Sequence, residues 1–296
     1  MLKGRLGLET TRVPHADRHG LLWLERGKLT VEFGCLLFTT AGTQFLDAGA
    51  YEIPFQQVSN ILLGPGTLIS HDALRLLARQ QTGLVAVGSG GTRIYAVSMP
   101  FGPDRAEIAR KQVKLWSDPE LKIQVVRAMY EKRFGAPLPH YAKDINSLRG
   151  IEGRRMKEVY KLLAEKYGVS WEGRRFDRDN PDNDTILNQA INHAATAAYA
   201  SAQIAVAVTG AIPQLGFIHE SSSRSFALDI ADLYRASVVL PIAFEAAKKA
   251  GIHQNYDIER ETRKLASAIF RQEKLIPSMI DSIKELTGIN DNSNHT

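Results

Sequence analysis

The sequence predicts an α+β fold, with a small N-terminal β-rich domain followed by a larger all-α domain. Three observations carry this. Up to about residue 97 the apolar residues fall in short runs separated by Gly-containing turns, as strands do. A Pro- and Gly-bearing stretch, SMPFGPD, then interrupts the chain at 98–104. Beyond it the apolar residues recur at three- and four-residue spacing over long windows, which is the period of helices with one buried face. The expected boundaries are 1–97 for the β-rich domain, 98–104 for a linker, 105–287 for the helical domain and 288–296 for a disordered tail. A length of 296 residues suits two domains of this kind.

In the first tract, strands are expected at 21–25, 28–33, 34–39, 43–46 and 50–54, and a further one over 58–63 before the hard stop Gly64-Pro65-Gly66. Ser70 is placed to cap a helix over 70–81, with His71 a helix-start residue. Strands at 84–87 and 93–97 flank Gly88–Gly91. That GSGG lacks the lysine and following helix of a phosphate loop, so it reads as a hairpin turn. The second tract opens with a helix over 105–117. Asp118-Pro119-Glu120 then supplies a cap, a proline at the first helical position and a first-turn acid for a helix reaching about Arg133. A helix over about 145–167 closes at Gly168, and a polar loop, centred on GRRFDRDNPDN, follows. The alanine-rich stretch 185–209 predicts a central, closely packed helix about 35–40 Å long. One helix over 225–250 with a kink at Pro241, and two more over 256–272 and 276–286, complete the set.

The composition narrows the class. Lys and Arg exceed Asp and Glu by 5, an excess that permits a nucleic-acid partner without requiring one. The single cysteine, Cys35, excludes an intrachain disulfide and a cysteine-rich zinc module. No apolar run reaches the ~18 residues of a membrane span, and the N-terminus shows no signal-peptide core. A cytoplasmic protein without a membrane partner is expected.

Two places carry candidate chemistry. In GFIHESSSRSFALDIAD, His219 follows an apolar run, and Asp229 and Asp232 stand three apart in an otherwise apolar helix, so they share a face. Acids there need compensation, either a bound metal or an ion pair with Arg224 or Arg235. One histidine with carboxylates and no thiols suits Mg²⁺ or Mn²⁺. In SLRGIEGRRMK, Glu152 lies among Arg149, Arg154 and Arg155 near a helix start. Gly150 and Gly153 flank it at about 1 kcal/mol each relative to alanine, which suggests a backbone approached closely by something. Basic neighbours around a metal-binding acid suit phosphodiester chemistry. Each residue alone has an ordinary structural reading: a solvated charge, a satisfied histidine, a capping aspartate.

Taken together, the motifs GPGTLISHDALRL, GTRIYAV, LRGIEGRR, YGVSWEGRRFD, DTILNQAINHAATAAYA, GFIHE and SFALDIADLYR closely resemble the CRISPR-associated integrase family, of the subtype found with Cascade-type (I-E) systems, from about residue 20 to about 272. These are the metal-dependent endonucleases of the spacer-acquisition machinery. The resemblance implies a dimerising N-terminal β-domain and a helical catalytic domain. It implies a Mg²⁺ or Mn²⁺ site of Glu152, His219 and Asp232, with Asp229 a supporting acid and Tyr199 near the site. It implies DNA contacts at Arg235, Arg260, Arg263 and Arg93, alongside Arg149, Arg154 and Arg155. The implied partners are DNA (a protospacer fragment and the CRISPR leader-repeat), a second copy in a homodimer, and the small second adaptation protein, which completes a heterohexamer. The implied reaction inserts a short DNA fragment into the array, its 3′-OH attacking the repeat backbone in a transesterification. A metal-dependent repair nuclease and a non-catalytic DNA-binding scaffold are the alternatives. The chain also departs from the family's pattern. After His219 it reads ESSSR where relatives carry a lysine, leaving Arg224 to substitute. Phe176 replaces a tyrosine, Arg26 stands where some relatives have a stacking tyrosine, and the tail is short.

Overall fold

The computed structural model describes residues 20–44, 46–98, 106–139, 144–171, 173, 185–252 and 256–288. Most of the expected linker, the GRRFDRDNPDN loop with Phe176, and the tail beyond residue 288 lie outside these. The described residues fall into two compact units, one within 1–89 and 94–107, the other within 90–93 and 108–296.

Among the described residues the first unit holds eight strands, β1 Leu21–Leu24, β2 Gly27–Glu32, β3 Cys35–Thr40, β4 Gly49–Ile53, β5 Asn60–Leu63, β6 Leu68–Ile69, β7 Gly83–Val87 and β8 Ile94–Ser98. They form two four-stranded sheets, ordered β1-β5-β7-β8 and β4-β3-β2-β6. Leu29, Leu36, Phe38 and Ile61 are fully buried between them, and helix α1, His71–Arg79, adds Ala73 and Leu77 to that core. Ser70 caps α1 as expected, its hydroxyl accepting from the Ala73 amide. The expected strand at 43–46 is a turn instead: the Thr43 amide donates to the Leu46 carbonyl, and the Leu46 amide donates back to the Thr43 hydroxyl. A local side-chain acceptor has outcompeted a sheet ladder. β6, two residues long, was too short to leave a pattern. Gly88–Gly91 joins the antiparallel pair β7–β8, the expected hairpin.

The second unit is helical: α2 Ala106–Ser117 (its first two residues belonging to the β-rich unit), α3 Pro119–Phe134, α4 Ile145–Tyr167, α5 Ile186–Thr209, α6 Ser225–Leu233, α7 Leu240–Ile252, α8 Ile258–Gln272 and α9 Leu275–Leu286. Asp118 caps α3 through the amides of Glu120 and Leu121, with Pro119 opening the helix, as read from the sequence. α5 lies at the centre, with α6, α7, α8 and α9 packed against it. Ala190, Ala194, Ala198, Ala202 and Ala205 have no exposed surface, and such small side chains let neighbouring helices approach closely.

The single helix expected over 225–250 is interrupted. A widened π turn, Arg235–Val239, separates α6 from α7, with the Val239 amide donating to the Tyr234 carbonyl five residues back. Proline at 241 has no amide to donate and its ring crowds the carbonyl four residues before it, so the strain is taken up by a wider turn upstream rather than by a bend at Pro241 itself. That turn begins three residues after Asp232.

Candidate functional site: a carboxylate and imidazole cluster around a buried arginine

His219 is presented by the loop between α5 and α6. Its position is fixed by Asp229, whose carboxylate is fully buried inside the first turns of α6. One Asp229 oxygen accepts from the amides of Phe217 (2.6 Å) and Ile218 (3.1 Å); the other accepts from the His219 amide (3.0 Å) and meets His219 Nδ1 at 2.7 Å. A buried carboxylate is tolerated here because four donors surround it. The hydrogen bond to Asp229 raises the His219 pKa above its usual value, against the opposing effect of burial. With Nδ1 committed, Nε2 is the free ring nitrogen, and it points to Asp232 Oδ2 at 3.9 Å. Asp229 thus holds one side of the imidazole while Asp232 faces the other, a difference that their three-residue spacing alone does not reveal.

The same loop is tied down from α2. Gln112, fully buried, donates to the carbonyls of Ile212 (3.0 Å) and Leu215 (2.9 Å) and accepts from the Ile212 amide (2.7 Å). One turn on, Trp116 Nε1 donates to the Gly216 carbonyl at 2.9 Å. Arg149 donates to the Ile218 carbonyl at 3.1 Å, and Lys122 pairs with Glu220.

Glu152, on α4, joins His219 and Asp232 through a residue that the sequence reading passed over. Arg133, at the end of α3, places Nη1 2.7 Å from Glu152 Oε1 and 3.8 Å from Asp232 Oδ2. The other oxygen of Glu152 accepts from the Tyr130 hydroxyl at 3.0 Å. Burial, and then the neighbouring carboxylate, pushes the Tyr130 hydroxyl well above its ordinary pKa, so it is a donor. Burial likewise raises the Asp232 pKa, with Arg133 and His219 pulling it down and Glu152 and Asp229 adding to the rise. Arg235 lies 3.5 Å from Asp232 Oδ1, three residues on. Of the two ion pairs weighed for the aspartates, the one with Arg235 forms, while Arg224 instead lies over the Tyr199 ring, 5.5 Å from its centroid.

A signal for Arg133 was present. Val126, Met129, Tyr130 and Arg133 recur at three- and four-residue spacing on the buried face of α3. An arginine on that stripe is read more naturally as a solvated last-turn cation, and only tertiary packing distinguishes the two.

The other candidates scatter. Arg154 is exposed, whereas Arg155 stacks over Phe134 at 4.9 Å. Arg93 meets Glu259 at 3.2 Å, and Arg263, on the same helix as Glu259, also pairs with it. Arg260 is exposed on that helix. Gly150 and Gly153 are not demanded by packing within the chain: a Cβ at either would meet nothing within 4 Å.

Among the described residues, no three acidic, histidine or cysteine side chains are drawn to metal-ligand spacing. The chemistry of the set nonetheless fits a hard divalent cation. It has two carboxylates and one imidazole whose far nitrogen is anchored to a third carboxylate, Asp229, the arrangement that orients metal-ligating histidines. What now holds Glu152 and Asp232 in register is the Arg133 guanidinium.

Comparison with known proteins gives these residues a family context. The family described as CRISPR associated protein Cas1 matches residues 21–136 and 132–276. The chain belongs to the Cas1 family. It is 37% identical to the CRISPR-associated endonuclease Cas1 of Escherichia coli (strain K12), over 93% of this chain and 86% of that one. It is 34% identical to the CRISPR-associated endonuclease Cas1 2 of Thermus thermophilus, over 79% of this chain and 70% of that one. Among solved structures it superposes on TtCas1 in a DNA complex with a TM-score of 0.79 at 31% identity, covering 91% of this chain and 97% of that one. A casposase bound to an integration product shares the fold at a TM-score of 0.64 and 14% identity. The Cas1 fold is therefore the one read from the sequence, a β-rich N-terminal part followed by helices. No helix among the described residues is long and apolar enough to cross a membrane.

Proposed function

We propose that this Cas1-family chain is a metal-dependent DNA endonuclease and integrase that inserts short foreign DNA fragments into a CRISPR array. The observation that carries the reading is the placement of His219, with Nδ1 held by the buried Asp229 and Nε2 turned toward Asp232, next to the Arg133-linked Glu152. Ordinary core packing has no need of three carboxylates around one imidazole, the fully buried Asp229 above all, since a buried charge costs several kcal/mol unless compensated. The relatives' names, as CRISPR-associated endonucleases, support the same direction.

In this reading Glu152, His219 and Asp232 hold Mg²⁺ or Mn²⁺. A divalent ion so held supplies Lewis-acid polarisation of a phosphodiester and charge stabilisation of the attacking and leaving oxygens. The chain's own contributions follow from the geometry. Asp229 keeps the imidazole in one tautomer and orientation. Tyr130 and Arg133 occupy both oxygens of Glu152 and fix its rotamer. The exposed Arg154, and Arg224 with Tyr199, provide cationic and aromatic surface for a DNA backbone and its bases. The 3′-OH of the incoming fragment forms the new P–O bond, the 3′ oxygen of the repeat strand leaves, and the proton passes from one to the other. Water in place of the 3′-OH gives a nick. The β-rich unit serves as the dimerisation domain, and two such dimers bridged by the small second adaptation protein form the heterohexamer, in the cytoplasm where the array lies.

The test is an assay on supercoiled plasmid carrying leader and repeat, with the partner protein, a short duplex bearing 3′-OH ends, and Mg²⁺ or Mn²⁺. Joined products that vanish with chelator and in Asp232→Ala are expected. Joining at normal rate in Asp232→Ala would defeat the site assignment. Nicks without joining would favour a repair nuclease, and DNA binding without either product a scaffold.

A further inference from the structure

We propose that Arg133 is a positioning residue that acts as a built-in competitor for the divalent cation, holding Glu152 and Asp232 together while weakening the site's affinity for metal. The inference rests on the proposed metal site and concerns a residue outside its ligand set.

Arg133 has only 5% of its side chain exposed, so it does not reach a DNA backbone from where it stands. Its charge is instead directed entirely inward. Nη1 lies at hydrogen-bond distance from Glu152 and within ion-pair distance of Asp232, bridging the two carboxylates that come from different helices, α4 and α6. Its Nε is buried without a hydrogen-bond partner in this structure, so the guanidinium is under-satisfied where it sits. Core packing alone would favour an arginine with all its donors paired, or an apolar side chain of similar volume. Holding two acids together against their mutual repulsion accounts for the geometry better.

The charges point the same way. Arg133 and Arg235 offset part of the negative charge gathered by Glu152 and Asp232, so removing Arg133 leaves more of that charge for a divalent ion to offset. Glu152 has one oxygen on Tyr130 and the other on Arg133, so an incoming cation must share both or displace one. A merely structural arginine and a competing one predict opposite signs. Loss of a structural support disorders the ligands and weakens metal binding; loss of a competitor strengthens it.

The experiment is a Mn²⁺ titration of the full chain, read by the EPR signal of free Mn²⁺, on wild type, Arg133→Met, Arg133→Lys, Tyr130→Phe and Asp232→Ala, with melting curves in chelator and in Mn²⁺. Arg133→Met is expected to bind Mn²⁺ about 10-fold more tightly, the size of outer-shell effects on metal sites. It should also melt lower than wild type in chelator and gain more from added Mn²⁺. Arg133→Lys, which keeps the charge but loses the fork, should lie between wild type and Arg133→Met, and it carries the test if the methionine variant does not fold. Tyr130→Phe leaves Arg133 in place and should change affinity less than Arg133→Met. Unchanged or weaker Mn²⁺ binding in the folded arginine variants would overturn the proposal. If wild type binds no Mn²⁺, or binds it as tightly as Asp232→Ala does, the metal-site reading itself falls.

Discussion

Removing the Asp229 carboxylate should release the loop that carries His219. Three main-chain amides and one imidazole nitrogen converge on it, and a buried donor left unpaired costs about 1–3 kcal/mol. The full cost falls on Phe217, which is 1% exposed; Ile218 and His219 are half-buried, so water replaces part of what they lose. Asp229→Ala should therefore destabilise the helical unit by about 3–5 kcal/mol, which for a unit of this size lowers the melting midpoint by roughly 6–20 °C. Asp229→Asn discriminates further. Its carbonyl oxygen can keep the Phe217 and Ile218 amides, while its amide group faces the His219 amide and Nδ1 with a donor instead of an acceptor. The imidazole is then driven to the other tautomer, with its proton on Nε2. Stability should fall less than in Asp229→Ala, yet Mn²⁺ binding should be lost. The assays are thermal melting, hydrogen exchange of the amides at 217, 218 and 219, and Mn²⁺ titration. A midpoint within about 2 °C of wild type for Asp229→Ala, with these amides still protected, would refute the reasoning.

Other consequences follow from the same packing. Gly90 has φ +63° and an added Cβ would stand 2.0 Å from Ser267 Oγ, so Gly90→Ala should cost at least about 1–2 kcal/mol by chemical denaturation, with part restored by Ser267→Gly in the same chain. Gln112→Leu takes the side-chain partner from the Ile212 amide and the Leu215 carbonyl, while the Ile212 carbonyl keeps the Leu215 amide, and should cost about 2–4 kcal/mol and raise hydrogen exchange at 212 and 214–216 without altering that of α8. Burial lowers the His193 pKa in the folded state, so the unfolded chain binds the proton first as pH falls below about 6.5 and stability declines from there down to the folded pKa. His193→Gln should flatten the melting midpoint across that window, and an unchanged slope would contradict the assignment.

The sequence made the helices legible where caps announced them. Asp118-Pro119 and Thr185 open α3 and α5 close to the expected positions, because capping is a local interaction between neighbours in the chain. It misled where a local competitor acted, as at Thr43 with Leu46, and where backbone strain had more than one outlet, as in the π turn before Pro241. The site shows the same split. His219, Asp229 and Asp232 lie in one short stretch, so their residue types and spacing marked them. The separate roles of the two aspartates were not visible, because they depend on how the preceding loop folds back over α6. Arg133 and Tyr130 are not marked by the sequence because what sets them apart is their contacts to α4 and α6, far away in sequence. Gln112 and Trp116 act on a loop a hundred residues downstream, beyond the reach of any local pattern.

The central claim, that Glu152, His219 and Asp232 form a divalent-metal nuclease centre, is tested most directly by cleavage of end-labelled DNA by the chain alone. Strand scission in Mg²⁺ or Mn²⁺ that falls to background with chelator, and in Glu152→Ala, His219→Ala and Asp232→Ala alike while each variant keeps its fold and its DNA affinity, is the predicted result. Scission that persists in chelator, or at wild-type rate in any one of the three folded variants, would contradict the account.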